Sequence, residues 1–266
     1  MSDGNILLSQ DGKILTITLD RPERKNAFGG TMREDLADAI ETARRGFEND
    51  SIRVIVLRGA GDSFCAGGDV KNLAGLKATN DGAGLLELLA KGERVVRAIR
   101  MFPGPVLAAI DGPAVGAGLT LALACDVRIA SDRSRFSMAF VRLGLHPDWG
   151  GSWTLTRAVG PSRAKELALT GRLVEAPEAE RIGLVHRVVP VEGWAEAVQK
   201  QAERLAGSAP LTLALIKETF DTAHRRNLDE TFARERQAQH AAFDTDDAAE
   251  GFVAFLEKRR PEFASR

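Results

Sequence analysis

Two short apolar segments of this chain each lead into a turn of small residues, and this repeated arrangement constrains the fold most strongly. Residues 54–57 (VIVL) precede DSFCAGGDVKNL at residues 62–73, and residues 106–110 (VLAAI) precede GPAVGAGLT at residues 112–120. Uninterrupted apolar runs of this length are typical of strands buried on both faces. Because strand, turn and helix recur along the chain, the sequence predicts an α/β fold.

The spacing of apolar residues predicts further elements on either side of these segments. Residues 13–20 (KILTITLD) alternate as a half-buried strand does, whereas Met32, Leu36 and Ile40 follow helical spacing. Beyond Pro190 the pattern becomes wholly helical, over residues 192–206, 210–224, 228–243 and 248–258. We therefore predict an α/β core over residues 1–206 and a helical oligomerisation region over residues 207–266.

Composition excludes several classes of protein and favours one large domain. The chain has 266 residues, of which 44% are hydrophobic and 27% charged, and its net charge is -1. These values give no support for a nucleic-acid or membrane partner, and no apolar run approaches the roughly 20 residues of a membrane helix. The N-terminal residues lack the pattern of a signal peptide. Cys65 and Cys125 form no metal-ligand spacing, so we expect reduced thiols in a cytoplasmic protein without a metal.

The two turns of small residues are candidates for an anion-stabilising site. Gly67 and Gly68 free the backbone for close approach, and the second turn runs into an apolar helix. Backbone N–H groups at a helix start carry the positive end of the helix dipole. Two such turns can aim two N–H donors at one point, as in an oxyanion hole. Taken alone, the first turn favours a simple tight turn in which Asp69 caps a helix, and only the pairing of the two turns favours the anion site.

Asp148 is an isolated acidic residue downstream of the second turn, in the segment LGLHPDWGG. It is a candidate for the base that creates the negative charge. The alternative is a purely structural turn, because Pro-Asp followed by glycines is turn chemistry. Phe140, Leu145 and Trp149 could form an apolar wall that raises the pKa of Asp148 and makes it a better base.

The chain resembles the enoyl-CoA hydratase/isomerase (crotonase) superfamily over nearly its whole length. The matching segments, in family order, are LTITLDRPERKNAF, RGAGDSFCAGGDV, AAIDGPAVGAGLTLALACDVRIA, GGSWTLTRAVG, LTGRLVEAPEAERIGLVHRVVP and EGFVAFLEKRRPEF. Within the family, FSMAFVRLGLHPDWGGSW and the C-terminal region are most similar to isomerases that act on ring-1,2-epoxyphenylacetyl-CoA.

The resemblance implies a crotonase-like spiral of β-β-α turns with a C-terminal helical trimerisation layer, and a homotrimer or a dimer of trimers. It implies an acyl-CoA substrate, with coenzyme A as part of the substrate and no other cofactor. The N–H groups of Gly68 and Ala117 would hold the thioester oxygen. The residues implied for coenzyme A contact, the last two from a neighbouring subunit, are Lys25, Ala66, Gly67, Asp69, Val70, Lys71, Phe255 and Lys258.

Two departures from the family pattern bear on the reaction. Hydratases of this family carry two glutamates, which align here with Thr120 and Phe140, and we expect these residues and Trp149 to line the acyl pocket. Asp148 stands where the isomerases carry their acidic residue. One carboxylate suits moving a proton between two carbons, so we expect an acyl-CoA isomerase. Enoyl-CoA hydration and a non-catalytic acyl-CoA-binding subunit are the alternatives.

Overall fold

The computed structural model describes residues 5–264 and confirms the α/β class. The strands are β1 (Ile6–Asp11), β2 (Ile14–Leu19), β3 (Val54–Gly59), β4 (Val106–Ile110), β5 (Pro113–Val115), β6 (Val127–Ser131), β7 (Arg135–Ser137), β8 (Val174–Glu175) and β9 (Arg187–Val189). The helices are α1 (Met32–Glu48), α2 (Val70–Ala78), α3 (Gly82–Met101), α4 (Ala117–Ala124), α5 (Gly151–Val159), α6 (Pro161–Thr170), α7 (Ala176–Arg181), α8 (Val191–Ala206), α9 (Pro210–Thr222), α10 (Leu228–Phe243) and α11 (Asp246–Glu257). Short 3-10 helices lie at Pro22–Arg24, Ala139–Leu143 and Ala223–Arg225.

The main sheet has six strands in the order β1-β2-β3-β4-β6-β9. Only β1 is antiparallel to its neighbour, and the other pairs are parallel. The strands β5, β7 and β8 form a second, smaller sheet. Since β3 and β4 are parallel neighbours, the turns that follow them leave the same edge of the sheet.

Apolar side chains cover both faces of the main sheet. One face packs on α1, α3 and α4 through a large cluster that includes Ile17, Leu57 and Ile99. The other face packs on α8, where Trp194 and Val198 are buried. This double burial explains why β3 and β4 read as unbroken apolar runs in the sequence.

The C-terminal helices bury much less of their apolar surface than the core does. Helix α10 buries none of its residues within the chain. Large exposed side chains on the last helices are Phe220, Leu228, Phe232, Phe243, Phe252, Phe255 and Leu256. The division at residues 206 and 207 falls at the end of α8 and stays a prediction. Among residues 5–264, no helix combines the length and apolar character that crossing a membrane requires.

Candidate functional site

The two predicted turns run side by side after leaving β3 and β4. The Cys65 N–H donates to the Pro113 carbonyl at 3.0 Å, and the Val115 N–H donates to the Cys65 carbonyl at 3.0 Å. These two bonds pair the turns with each other in parallel, just past the ends of β3 and β4. They therefore hold the segment around Gly67 directly against the start of α4.

Two backbone N–H groups are left free at this junction. A Cβ atom added to Gly67, whose φ is +98°, would lie 2.8 Å from the Val115 carbonyl oxygen and 3.3 Å from the Ala117 nitrogen. Only glycine permits this approach of the two segments. Among the hydrogen bonds of residues 5–264, neither the Gly68 N–H nor the Ala117 N–H is a donor. Ala117 is the first residue of α4, where an N–H has no partner within the helix.

Phe28 and Asp69 fix the other side of the glycine turn. The Phe28 N–H donates to the Gly67 carbonyl at 2.7 Å, and the Asp69 N–H donates to the Phe28 carbonyl at 3.1 Å. The Asp69 carboxylate accepts from the Lys71 N–H at the start of α2 and pairs with Arg21 at 3.1 Å. The predicted helix cap at Asp69 is therefore confirmed, and its side chain is engaged within the protein.

The loop that carries Asp148 is anchored by the residue that follows it. Trp149 is 3% exposed, and its ring lies 4.6 Å from the ring of Phe28, measured between centroids. Its backbone has a φ of +54°, which is uncommon for a bulky side chain. Gly92 on α3 makes room for the indole, since a Cβ atom there would overlap the Trp149 ring. The loop that carries the carboxyl group is thus packed on Phe28, which is hydrogen-bonded to the glycine turn.

Asp148 lies in surroundings that favour its neutral form. Burial raises the pKa of Asp148 to about 6, and the positive charge of Arg33 partly opposes that rise. Its Oδ1 atom is buried and has no hydrogen-bond partner among the described residues. The predicted direction of the pKa shift is confirmed, although Leu145 is 43% exposed and contributes little to the apolar wall. A carboxyl group with a pKa near the working pH is suited to proton transfer.

Arg33 is a charged residue of this region that the sequence interpretation missed. It lies in the first turn of α1 and is only 4% exposed. Its guanidinium carbon is 5.5 Å from the Phe28 ring centroid and 5.8 Å from that of Trp149. Its position beside Met32 in an amphipathic helix gave no reason to expect burial. Only the packing of α1 against the two aromatic rings encloses it.

Thr120 and Phe140 leave no acidic side chain at their positions. Thr120 is fully buried, and its hydroxyl donates to the Ala117 carbonyl at 3.0 Å. Phe140 is 8% exposed, and its ring lies 3.9 Å from where a Cβ atom on Gly116 would stand. Both residues therefore surround the start of α4 with apolar atoms. Neither side chain can serve as a general acid or base near neutral pH.

The residues expected to contact coenzyme A fall into two groups. Lys25, Val70 and Lys71 are exposed around the glycine turn. The Ala66 N–H donates to the Lys25 carbonyl at 2.9 Å, which leaves the carbonyl of Ala66 as its available polar group. The second group lies at the end of α11, where Phe255 is 82% exposed and Lys258 follows the helix. Among the described residues, no hydrogen bond or ion pair joins Phe255 or Lys258 to the glycine turn.

A large open cavity adjoins the Asp148 loop. It has a volume of about 1070 Å³, lies between α3, α5 and α9, and is lined on one side by Asp148 and Trp149. It offers space for a bulky group next to the carboxyl.

Other reactive groups of this region are poor candidates for chemistry. Burial raises the pKa of the Cys65 thiol to about 12, so this cysteine is an inert buried side chain at neutral pH. Within residues 5–264, no three His, Cys, Asp or Glu side chains cluster as a metal site would require.

Comparisons with known proteins agree with the geometry. The family model for enoyl-CoA hydratase/isomerase matches residues 9–266. The 1,2-epoxyphenylacetyl-CoA isomerase of Escherichia coli is 38% identical over 262 residues, covering 98% of each chain. The crotonyl-CoA hydratase of Syntrophomonas wolfei is 34% identical over 270 residues, covering 100% of each. The crystal structure of an enoyl-CoA hydratase from Bacillus anthracis superposes with a TM-score of 0.92 at 33% identity, covering 98% of this chain and 100% of the other.

Proposed function

This chain belongs to the enoyl-CoA hydratase/isomerase family, and we propose that it acts there as an isomerase of acyl-CoA thioesters. The observation that carries the proposal is a half-buried carboxyl, Asp148, on a loop that packs through Trp149 on Phe28. Phe28 is hydrogen-bonded to the glycine turn, where the N–H groups of Gly68 and Ala117 are unengaged. The crotonase-like α/β fold expected from the sequence is shown by the family match and the superposition.

The reaction divides between the base and the two donors. The thioester oxygen accepts hydrogen bonds from Gly68 and Ala117, and the carboxylate of Asp148 takes a proton from the α-carbon. The electron pair of that C–H bond moves toward the thioester, and the resulting enolate oxygen is stabilised by the two donors. Asp148 then returns the proton at another carbon, which shifts a double bond or completes a ring rearrangement. Each donor of this kind is worth about 3 kcal/mol of transition-state stabilisation.

The second candidate is hydration of an enoyl-CoA, favoured by relatives such as the crotonyl-CoA hydratase of Syntrophomonas wolfei. Hydration is easier with two acid–base groups, one for water and one for the α-carbon. In this chain Thr120 and Phe140 are both buried, and neither provides an acid–base group for the water or for the α-carbon. The isomerase therefore remains the preferred proposal.

A panel of thioesters tests the reaction class. The purified protein is incubated with 3-enoyl, 2-enoyl and aromatic ring-epoxide CoA thioesters, and products are followed by ultraviolet spectra and mass. We expect conversion without a change in mass for the 3-enoyl or ring-epoxide substrate. Rapid addition of water to a 2-enoyl thioester would replace the isomerase by the hydratase. Binding without conversion of any thioester would indicate a non-catalytic acyl-CoA-binding subunit.

We also propose that the protein assembles as a homotrimer or a dimer of trimers. The support is the exposed apolar surface of the last helices, including Phe232, Phe243 and Phe252, since patches of this kind usually mark interfaces. In such an assembly Phe255 and Lys258 would approach a neighbour's coenzyme A. Light scattering at micromolar concentration should give three or six times the 28.7 kDa chain mass. A fully active monomer would contradict both the assembly and the shared site.

A further inference from the structure

We propose that Arg33 is a specificity-determining residue that donates a hydrogen bond to an oxygen atom on the acyl group of the substrate, attached at the β- or γ-carbon. The inference rests on the isomerase proposal for where the thioester lies. It narrows the substrate class to oxygen-bearing acyl groups.

The guanidinium of Arg33 is buried without a full set of partners. Its side chain is 4% exposed, and its Nε atom has no hydrogen-bond partner among the described residues. Burial lowers the pKa of Arg33, while the negative charges of Glu34 and Asp148 oppose that change. A buried donor without an acceptor is costly, so a residue of this kind needs a reason to be retained.

The position of Arg33 indicates where an acceptor for its guanidinium would lie. Its Nη2 atom lies 3.8 Å from where a Cβ atom on Gly68 would stand, next to one of the two proposed oxyanion donors. The negative charge of Asp148 also acts on Arg33, since each of the two groups shifts the pKa of the other. The guanidinium therefore lies near both the proposed thioester carbonyl site and the proposed base.

Asp148 has a buried acceptor atom without a hydrogen-bond donor, just as Arg33 has a donor without an acceptor. Its Oδ1 atom is buried and unpartnered, so the Nε of Arg33 and the Oδ1 of Asp148 do not satisfy each other. A thioester with an acyl oxygen fits this arrangement. Its α-carbon would face the carboxylate, and its oxygen would accept from the guanidinium. The rings of Phe28 and Trp149 would keep water away from that hydrogen bond.

Two ligands of matched shape isolate this one hydrogen bond. They are (tetrahydrofuran-3-yl)acetyl-CoA, which carries one ether oxygen on its γ-carbon, and cyclopentylacetyl-CoA, which has a methylene there. Binding of each is measured by isothermal titration calorimetry. Because a hydrogen bond to a charged group is strong, the unmodified protein should bind the ether about tenfold or more tightly than the carbocycle.

Variants at position 33 show whether Arg33 is the cause. Arg33→Met keeps an unbranched side chain that reaches about as far as Nε and removes a buried charge, so folding should survive, as circular dichroism can check. It should bind the two ligands equally, with its affinity for the carbocycle little changed. Arg33→Lys should keep part of the preference and covers the case in which the methionine variant fails to fold. Equal binding of both ligands by the unmodified protein, or a preference that persists in Arg33→Met, would overturn the proposal.

A separate readout distinguishes this proposal from the isomerase proposal. Exchange of the α-hydrogens of both ligands in deuterium oxide, followed by mass spectrometry, reports proton abstraction and not ether recognition. An ether preference that depends on Arg33 without any exchange would support the role of Arg33 and count against the isomerase. Exchange without an ether preference would support proton abstraction and remove the role of Arg33.

Discussion

The Trp149 ring packs on the Phe28 ring with 4.6 Å between centroids, and this contact joins the two halves of the candidate site. Trp149 follows the proposed base, whereas Phe28 is hydrogen-bonded to both Gly67 and Asp69 on either side of a proposed donor. This aromatic pair therefore connects the loop that carries the carboxyl to the glycine turn. Such pairs contribute about 0.5–1.5 kcal/mol beyond their burial.

The pH dependence of activity should follow the pKa of Asp148. Proton abstraction requires the carboxylate, and burial places the pKa of Asp148 at about 6. The value of kcat/KM should therefore fall about tenfold per pH unit below 6 and become level above it. In Arg33→Met the apparent pKa should move upward, because a positive charge that favours the carboxylate is removed. Initial rates across pH 5–8 measure the profiles of the unmodified protein and of Arg33→Met. If the two profiles are the same, the charge of Arg33 does not lower the pKa of Asp148.

The buried carboxyl should also reduce stability at neutral pH. Its pKa is higher in the folded protein than the ordinary 3.8, so the folded state binds the proton more tightly. The contribution of Asp148 to stability is therefore greatest below pH 4 and is lost as the pH rises to about 6. At pH 8, Asp148→Asn should be more stable than the unmodified protein by roughly 2–3 kcal/mol.

Urea denaturation of Asp148→Asn at pH 4 and pH 8 measures this difference. The gain should be present at pH 8 and nearly absent at pH 4. Asp11→Asn, which removes an exposed carboxyl from the edge strand β1, is the matched control and should show no such gain. A destabilised Asp148→Asn at pH 8 would indicate that the carboxylate is structural.

Two substitutions at Ala117 separate its backbone from its side chain. Ala117→Gly keeps the N–H and should change turnover little. Ala117→Pro removes the N–H at the first position of α4, where proline is sterically accepted, and should lower kcat by about 10²–10³-fold. Circular dichroism establishes that the proline variant is folded. A folded Ala117→Pro protein with full activity would rule out the donor role.

The sequence predicted the parts of this molecule that depend on local pattern. The buried strands β3 and β4, the C-terminal helices and the raised pKa of Asp148 follow from apolar runs and neighbouring apolar residues. Strand β1 was missed because its residues are mostly exposed and do not alternate. It becomes a strand through pairing with β2, from Ile6 opposite Leu19 to Asp11 opposite Ile14.

Arg33 and Trp149 show why the rest of the site could not be predicted. The space for the Trp149 indole is provided by Gly92, more than fifty residues earlier on α3. Arg33 is enclosed by Phe28, a few residues earlier in the chain, and by Trp149, more than a hundred residues later. Both features depend on contacts between distant segments, which the periodicity of one helix does not report.

The most direct test of the account is hydrogen exchange at the α-carbon of a bound acyl-CoA in deuterium oxide. The unmodified protein should incorporate deuterium at this carbon, and Asp148→Asn should exchange about 10²–10⁴-fold more slowly while binding the thioester with similar affinity. Asp11→Asn should behave as the unmodified protein does. Near-normal exchange by a folded Asp148→Asn protein would contradict the assignment of Asp148 as the base.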